Sequence, residues 1–276
     1  MTIRELREEG RKRLAAAGIE EAGNDARLLL EHALGVDYAG LLMRLGEEAP
    51  ADVPARYESL IALRQKRIPL QHIVGEAPFL GLSFIVTPDV LIPRSDTEVL
   101  AEEALRHCRG ARVLDLCTGS GCLAVSLAVL GGCASVTGSD VSEAALGIAR
   151  KNAEKYGADV RYVKSDLFGK IDGVYDLIVS NPPYIESAEI GRLQPEVRDH
   201  DPRLALDGGE DGLSFYRRIC REAGAHLAPG GFLAVEIGSS QAQEVARLFE
   251  ENGLSGVRVI RDLSGADRVV TGVYDV

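Results

Sequence analysis

Four consecutive residues, Asn181, Pro182, Pro183 and Tyr184, follow the apolar run VYDLIVS. Two prolines remove two backbone donors and fix two φ angles, so a strand cannot continue through them. A strand stop needs neither an amide before the prolines nor an aromatic ring after them. The Asn181 side-chain oxygen and the Pro182 carbonyl can supply two acceptors spaced for one nitrogen. Such a pair suits a planar nitrogen, whose lone pair is delocalised into a π system until its two hydrogens are held. The prolines stiffen the loop and preorganise its carbonyls, and Tyr184 can pack flat against the planar group. No strong general base is required, because the nitrogen becomes acidic as an electrophile arrives.

Upstream, VLDLCTGSGCLAV (113–125) reads as a strand, a glycine-rich turn and the start of a helix. Gly119-Ser120-Gly121-Cys122-Leu123-Ala124 matches G-x-G-x-x-A. Asp140 ends the next predicted strand about twenty residues on, where it can accept hydrogen bonds from ribose hydroxyls. A turn that merely packs helix on strand leaves Asp140 unexplained. Asp115 sits at the strand end just before the loop and would repel a pyrophosphate in a dry cleft. The same charge attracts the sulfonium and ammonium groups of S-adenosylmethionine, which is therefore the expected cofactor. Asp115 can also bond loop amides, and the two readings are compatible. Asp166, in KSDLF, is a third carboxylate; it can accept from an adenine amino group, with Leu167 and Phe168 as apolar neighbours for the ring. A helix-cap or turn acid is the alternative for that residue. Three acids at the carboxyl ends of three successive strands mark the edge where open α/β sheets bind ligands.

Holding these groups on one edge requires a parallel sheet. Strand patterns fall at Arg112–Cys117, Ser135–Asp140, Arg161–Ser165, Tyr175–Ser180, Gly231–Ile237, Val257–Asp262 and Arg268–Tyr274. Helical patterns separate the first five, so right-handed crossovers and an open α/β sheet are predicted. The last two strands have only LSGAD between them and predict an antiparallel hairpin at one edge. Before the sheet, residues 71–92 carry FLGLSFIV, which alternates around Gly81 and predicts a β-hairpin linker. Residues 1–70 are helical in pattern. Thr2-Ile3-Arg4-Glu5 fits a capping box, followed by Ile3, Leu6 and Leu14 on one face. Asn24 is the expected cap of a second helix, and Tyr38–Leu45 and Val53–Lys66 are two more. The predicted domains are thus a helical bundle (1–70), a hairpin linker (71–92) and an α/β domain (93–276).

The chain has 276 residues, enough for one large or two smaller domains. Its net charge of −11 argues against a broad phosphate-contacting surface, so direct nucleic-acid binding is not expected. The start, MTIRELREEGRKRL, lacks the apolar core of a signal peptide, and no apolar stretch reaches membrane-spanning length; a cytoplasmic protein is expected. The five cysteines form no C-x-x-C pair, which argues against zinc, and without an export signal they predict reduced thiols. No heptad seam suggests a coiled-coil dimer, and a monomer is the expected state. Glu186–Gly212 is long for a connection and rich in both charges, which predicts a substrate-facing loop. Arg192, Arg198 and Arg203 are its candidates for contacting an acidic partner.

Taken together, PLQHIVGEAPFLGLSF (69–84), VLIPRSDTEVL (90–100), DLCTGSG, SNPPYI, PEVRDHDPRLALDGGEDGL (195–213) and FLAVEIG (232–238) resemble, in order, the protein-(glutamine-N5) methyltransferases of peptide chain release factors, the HemK/PrmC family. The resemblance runs from about Pro69 to the end, and the helical front agrees in size and character. It implies a seven-stranded, Rossmann-like S-adenosylmethionine-dependent methyltransferase domain with an antiparallel last strand, preceded by a helical substrate-docking domain. It also implies that Cys117, Thr118, Gly119, Ser120, Gly121, Asp140 and Asn181 touch the cofactor, and that Asn181, Pro182, Pro183 and Tyr184 bind the substrate glutamine. That glutamine would lie in the Gly-Gly-Gln loop of class I release factors, methylated on its side-chain nitrogen, with S-adenosylhomocysteine as the other product. Two motifs depart from the family pattern. Leu167 stands where an aromatic residue often follows the third acid, and Ser95 and Asp96 replace Pro and Glu in P-R-P-E-T-E.

Three other readings make different predictions. An N6-adenine DNA methyltransferase would share the Asn-Pro-Pro-Tyr chemistry but should carry a basic target-recognition region. A dinucleotide-dependent reductase would bind nicotinamide and leave Asn181–Tyr184 idle. A release-factor binding module would keep the cofactor without turnover, which an intact Asn181 argues against.

Overall fold

Thr2 and Glu5 start the first helix as predicted. Thr2 N donates to Glu5 Oε2 at 2.8 Å and Glu5 N to Thr2 Oγ1 at 3.3 Å, satisfying two donors that the helix would otherwise leave open. This helix, α1 (Ile3–Ala16), buries Ile3, Leu6, Gly10 and Leu14. α2 (Ala22–Leu34) already contains Asn24, so the expected cap is inside the helix; the Asn24 side chain accepts instead from Arg27 at 2.7 Å. α3 (Tyr38–Arg44), α4 (Val53–Gln65) and α5 (Leu70–Val74) follow.

In the computed structural model, which describes residues 1–275, these helices form one of two compact units: Met1–Gly75 together with Gln194–His200. Leu29, Leu30, Leu41, Tyr57 and Ile61 are buried in its core. The distant segment includes one helical turn, α9 (Pro195–Arg198), and an ion cluster holds it there. The buried Arg64 donates from Nε to Asp25 Oδ2 at 2.7 Å and from Nη1 to Glu196 Oε1 at 2.9 Å. Arg67 donates to the other Glu196 oxygen at 2.8 Å. By sequence position 194–200 belongs to the α/β domain; tertiary charge pairing assigns it to the helical unit.

The second unit comprises Glu76–Leu193 and the chain from Asp201 on. It runs β1 (Glu76–Phe79), β2 (Leu82–Ile85), α6 (Ser95–Leu105), β3 (Arg112–Leu116), α7 (Cys122–Leu130), β4 (Ser135–Asp140), α8 (Glu143–Tyr156), β5 (Val160–Lys164) and β6 (Tyr175–Ser180). After α9 come α10 (Ser214–Ala223), β7 (Leu227–Glu236), α11 (Ala242–Glu251), β8 (Leu254–Arg261) and β9 (Asp267–Tyr274). Seven strands pair in the order β5-β4-β3-β6-β7-β9-β8. All neighbours from β5 to β7 are parallel, and β9 is antiparallel to both β7 and β8. The predicted terminal hairpin is present, with its second strand inserted so that β8 forms the edge.

Both faces of the central strands are apolar, as a sheet covered on both sides requires. Leu114, Leu116, Ile178, Leu233 and Val235 pack with Tyr216, Ile219, Val245 and Phe249 of α10 and α11. The alternate residues Val113, Leu177, Val179, Phe232 and Ala234 pack with Leu100, Ala104, Leu123 and Leu127 of α6 and α7. The β1–β2 hairpin begins at Glu76, five residues later than predicted, because α5 occupies the intervening chain. Phe79 and Phe84 are fully buried and meet edge to face at 6.1 Å. Asn152 of α8 bonds both Ile85 N and Ile85 O, at 2.7 and 3.0 Å, so the hairpin is secured to the α/β unit. No helix among the described residues is long and apolar enough to cross a membrane.

Candidate active site

The chain steps outward from β3 to β4 and β5, then crosses back to place β6 on the other side of β3. Loops leaving the carboxyl ends of all four strands meet at this reversal, the place where open α/β sheets leave a crevice. The crevice is a cleft open to solvent and lined by residues of all four loops.

The glycine loop forms one wall through Cys117, Thr118, Gly119 and Ser120. Gly121 turns away from the cavity. Its φ is +79°, and a Cβ there would lie 3.0 Å from Ala149 Cβ and 2.9 Å from the Tyr162 hydroxyl, so α8 and β5 approach closely only because no side chain intervenes. Asn152 fixes the loop by donating to Ser120 O at 2.9 Å. Asp140, on the same wall, accepts Gly119 N and Ser142 N, both at 2.9 Å. Each of its oxygens keeps a further lone pair for a ligand. Burial raises its pKa from the ordinary aspartate value, against the lowering by those two amides.

Asp115 lies beneath the loop and outside the cavity wall. Its Oδ2 accepts from Thr118 Oγ1 at 2.6 Å and from Ala124 N at 3.1 Å, the loop-bonding geometry that its sequence position allows. Complete burial pushes its pKa up to about 7, despite these two hydrogen bonds. Asp166 and Leu167 both line the cavity. Asp166 stands at an open rim, paired with Arg218 at 2.9 Å. The expectation that Phe168 also neighbours a ring there is corrected. Leu167 takes a left-handed backbone, φ +48°, and the next side chain turns into the core, where Phe168 stacks on His226 at 4.7 Å.

Asn181 and Pro183 face the cavity, whereas Pro182 and Tyr184 lie outside its wall. Asn181 Nδ2 donates to Thr97 Oγ1 at 3.1 Å. The Tyr184 hydroxyl donates to Glu236 Oε1 at 3.2 Å, and the Tyr184 carbonyl accepts from Gln241 at 3.0 Å. The charged segment that follows folds back on these residues. Ile185 N donates to Leu206 O at 3.0 Å, and Gly208 N returns a bond to Ile185 O at 2.8 Å. A Cβ on Gly208 would sit 2.7 Å from Tyr184 Cα, so only glycine permits this approach. Pro202, Leu204 and Ala205 from the same segment complete the cavity wall. Arg192, Arg198 and Arg203 are each paired locally, with Glu189, Asp199 and Asp207.

Several residues at or beneath the cavity wall escaped sequence reasoning. Asp89–Arg94 forms a strap along one side, tied to the Pro202–Ala205 side by Arg94 and Asp201 at 2.5 Å. Thr97 follows in the first turn of α6. Glu236, fully buried at the end of β7, has its pKa pushed up to about 7 by burial, against lowering by Thr97, Tyr184 and Arg268. A lone acid closing the apolar run FLAVE was the signal available for it.

Residues 5–75 match the family described as PrmC N-terminal domain, and residues 95–194 match the Methyltransferase small domain. The chain is 47% identical over 273 residues to the release factor glutamine methyltransferase of Geobacter sulfurreducens, covering 98% of this chain and 96% of that protein. It is 48% identical over 261 residues to the release factor glutamine methyltransferase of Cereibacter sphaeroides, covering 94% of each. Among solved structures, a methyltransferase from Pyrococcus furiosus matches with a TM-score of 0.56 at 20% identity, over 80% of this chain and 100% of that one. That last likeness is one of fold.

Proposed function

Since the chain belongs to the release factor glutamine methyltransferases, we propose that it transfers a methyl group from S-adenosylmethionine to the side-chain amide nitrogen of the glutamine in the Gly-Gly-Gln motif of class I release factors. The reading rests on one observation. Asn181 stands on the cavity wall with its nitrogen engaged by Thr97, so its oxygen is the end left for a substrate N–H.

The cavity suits the cofactor. Its wall carries the carboxylates Asp140 and Asp166 and the apolar Leu167, which match a ribose, an adenine edge and an adenine face. Cys117, Thr118, Gly119 and Ser120 would hold the amino-acid end, with Gly121 allowing the close loop and Asp115 contributing negative charge from beneath. When bound, S-adenosylmethionine supplies an electrophilic methyl on a sulfonium. Asn181 Oδ1 and the Pro182 carbonyl accept the two amide hydrogens of the substrate, which frees the nitrogen lone pair to point at that methyl. Pro183 stiffens the loop, and Tyr184 packs beside the planar group. With the cofactor bound, the nitrogen would gain the methyl as the sulfonium C–S bond breaks, leaving the S-adenosylhomocysteine thioether and releasing one proton to solvent.

The helical unit docks the release factor, a reading supported by its match to the PrmC N-terminal domain. The protein acts as a cytoplasmic monomer that does not bind nucleic acid directly, in keeping with its net charge of −11. The test is methyl transfer from labelled S-adenosylmethionine with purified release factor and duplex DNA offered side by side. Label mapped by mass spectrometry to the Gly-Gly-Gln glutamine is the expected result. Label on DNA alone would overturn the substrate assignment in favour of an adenine methyltransferase.

A further inference from the structure

An asparagine amide fits its slot either way round, because its oxygen and nitrogen have nearly the same size. Only one orientation presents an acceptor to a substrate N–H. Buried groups behind Asn181 bear on that choice. Asn181 Nδ2 lies 3.1 Å from the Thr97 hydroxyl. Thr97, only 3% exposed, lies close enough to Glu236 to favour its ionised form. Glu236, 1% exposed, accepts from the Tyr184 hydroxyl at 3.2 Å. A hydroxyl has one proton to give. When Thr97 gives it to the carboxylate, Asn181 meets only lone pairs, and only the NH2 end of the amide can be satisfied against them. An ionised carboxylate has no proton with which to reverse the chain.

We propose that Thr97 and Glu236 are positioning residues for methyl transfer: the Glu236 carboxylate takes the Thr97 and Tyr184 hydroxyl protons, and Thr97 thereby holds the Asn181 amide with its oxygen toward the acceptor nitrogen. The inference rests on the methyl-transfer reading of the site. It gives a role to an acid buried in an apolar strand, where an unpaired charge would otherwise only cost stability. The groups facing Glu236 are Tyr184 from the loop, Arg268 from β9, Thr97 and Asp96 from α6, Tyr216 from α10 and Cys122 from α7; Asp96 is itself paired with Arg268 at 3.2 Å. Burial holds Glu236 near a pKa of about 7, so its ionised fraction changes across neutral pH. A protonated Glu236 can donate to Thr97, which releases the Thr97 proton to Asn181 Oδ1 and lets the amide turn over.

The test compares Thr97→Val, Thr97→Ser and Glu236→Gln with the wild type in methyl transfer and cofactor binding. Thr97→Val is expected to lower kcat about tenfold to a hundredfold, with little change in cofactor affinity or in KM for release factor. Thr97→Ser keeps the hydroxyl and restores kcat. Glu236→Gln can offer Thr97 an NH2, so it lowers kcat and abolishes the rise of kcat through neutral pH that the wild type shows. Wild-type kcat in Thr97→Val, or an unaltered pH profile in Glu236→Gln, would overturn the proposal. Should Thr97→Val fail to fold, Glu236→Gln and Thr97→Ser decide it. A second readout is independent of substrate: the 15N side-chain amide signal of Asn181 should move in Thr97→Val and hold in Thr97→Ser. If the wild type leaves release factor unmethylated, the substrate assignment fails and this signal alone decides. An Asn181 signal identical in wild type and Thr97→Val would then overturn the positioning role.

Discussion

At the residue scale the proposed mechanism gives Asn181 to the acceptor and Asp140 to the cofactor. Asn181→Ala should lower methyl transfer about a hundredfold or more, as when a preorganised polar group is removed from a reacting centre, while cofactor affinity stays near that of the wild type. Single-turnover transfer beside calorimetric binding separates the two effects, and normal turnover would remove Asn181 from the mechanism. Asp140 already accepts two backbone amides, so its loss disturbs the loop as well as the ligand. Asp140→Ala should weaken cofactor binding by about 1.5–3 kcal/mol, the worth of a hydrogen bond to a charged group. An unchanged dissociation constant would show that the ribose lies elsewhere.

Loops do the positioning at the scale of elements, and two glycines set how closely they approach. Gly208 lets the returning segment lie against the Tyr184 backbone, which cannot move aside as a flexible side chain could. Gly208→Ala should therefore displace Asn181–Tyr184, lowering kcat more than cofactor affinity, and cost about 1–3 kcal/mol of stability through overpacking. Wild-type kcat in that variant would mean that the two segments are not packed tightly enough to matter. The β1–β2 hairpin works at this scale too. Asn152 bonds both the hairpin at Ile85 and the glycine loop at Ser120, so one α8 side chain fixes two elements that line or support the cavity.

At the scale of the whole molecule, buried charge governs stability. Glu236 and Asp115 have folded-state pKa values pushed up to about 7, whereas unfolded carboxyls titrate near about 4. Between those values the folded state holds protons that the unfolded state releases, so these two groups make stability fall as pH rises through that window. Above about 7 both states are ionised and the penalty is complete. Glu236→Gln should flatten part of this slope in urea melts taken between about pH 5 and 8, and a slope equal to that of the wild type would place the Glu236 pKa at its ordinary value. In the helical unit, Arg64 neutralises the buried Asp25 and holds Glu196. Arg64→Ala should cost about 3–5 kcal/mol, because it strands a buried carboxylate; a loss below about 1 kcal/mol would show that water reaches the cluster.

The sequence by itself determined the order of elements, the seven strands and the antiparallel ending, because these follow from local apolar periodicity and turn residues. It also points to the chemistry proposed for Asn181, Asp140 and the glycine loop, through their residue types and spacing. Local propensity misjudged only what tertiary contact decides. Asn24 is a good cap in isolation, yet packing starts α2 earlier, at Ala22. Phe168 reads as a ring neighbour until the left-handed turn at Leu167 sends it into the core. The segment 194–200 sits far along the chain from Arg64 and Arg67, and only their charge pairing with Glu196 draws it into the helical unit. Thr97 and Glu236 lie 139 positions apart in the sequence. No pattern along the chain joins them; the sheet brings the end of β7 beside the first turn of α6, and hydrogen bonding in a dry interior does the rest.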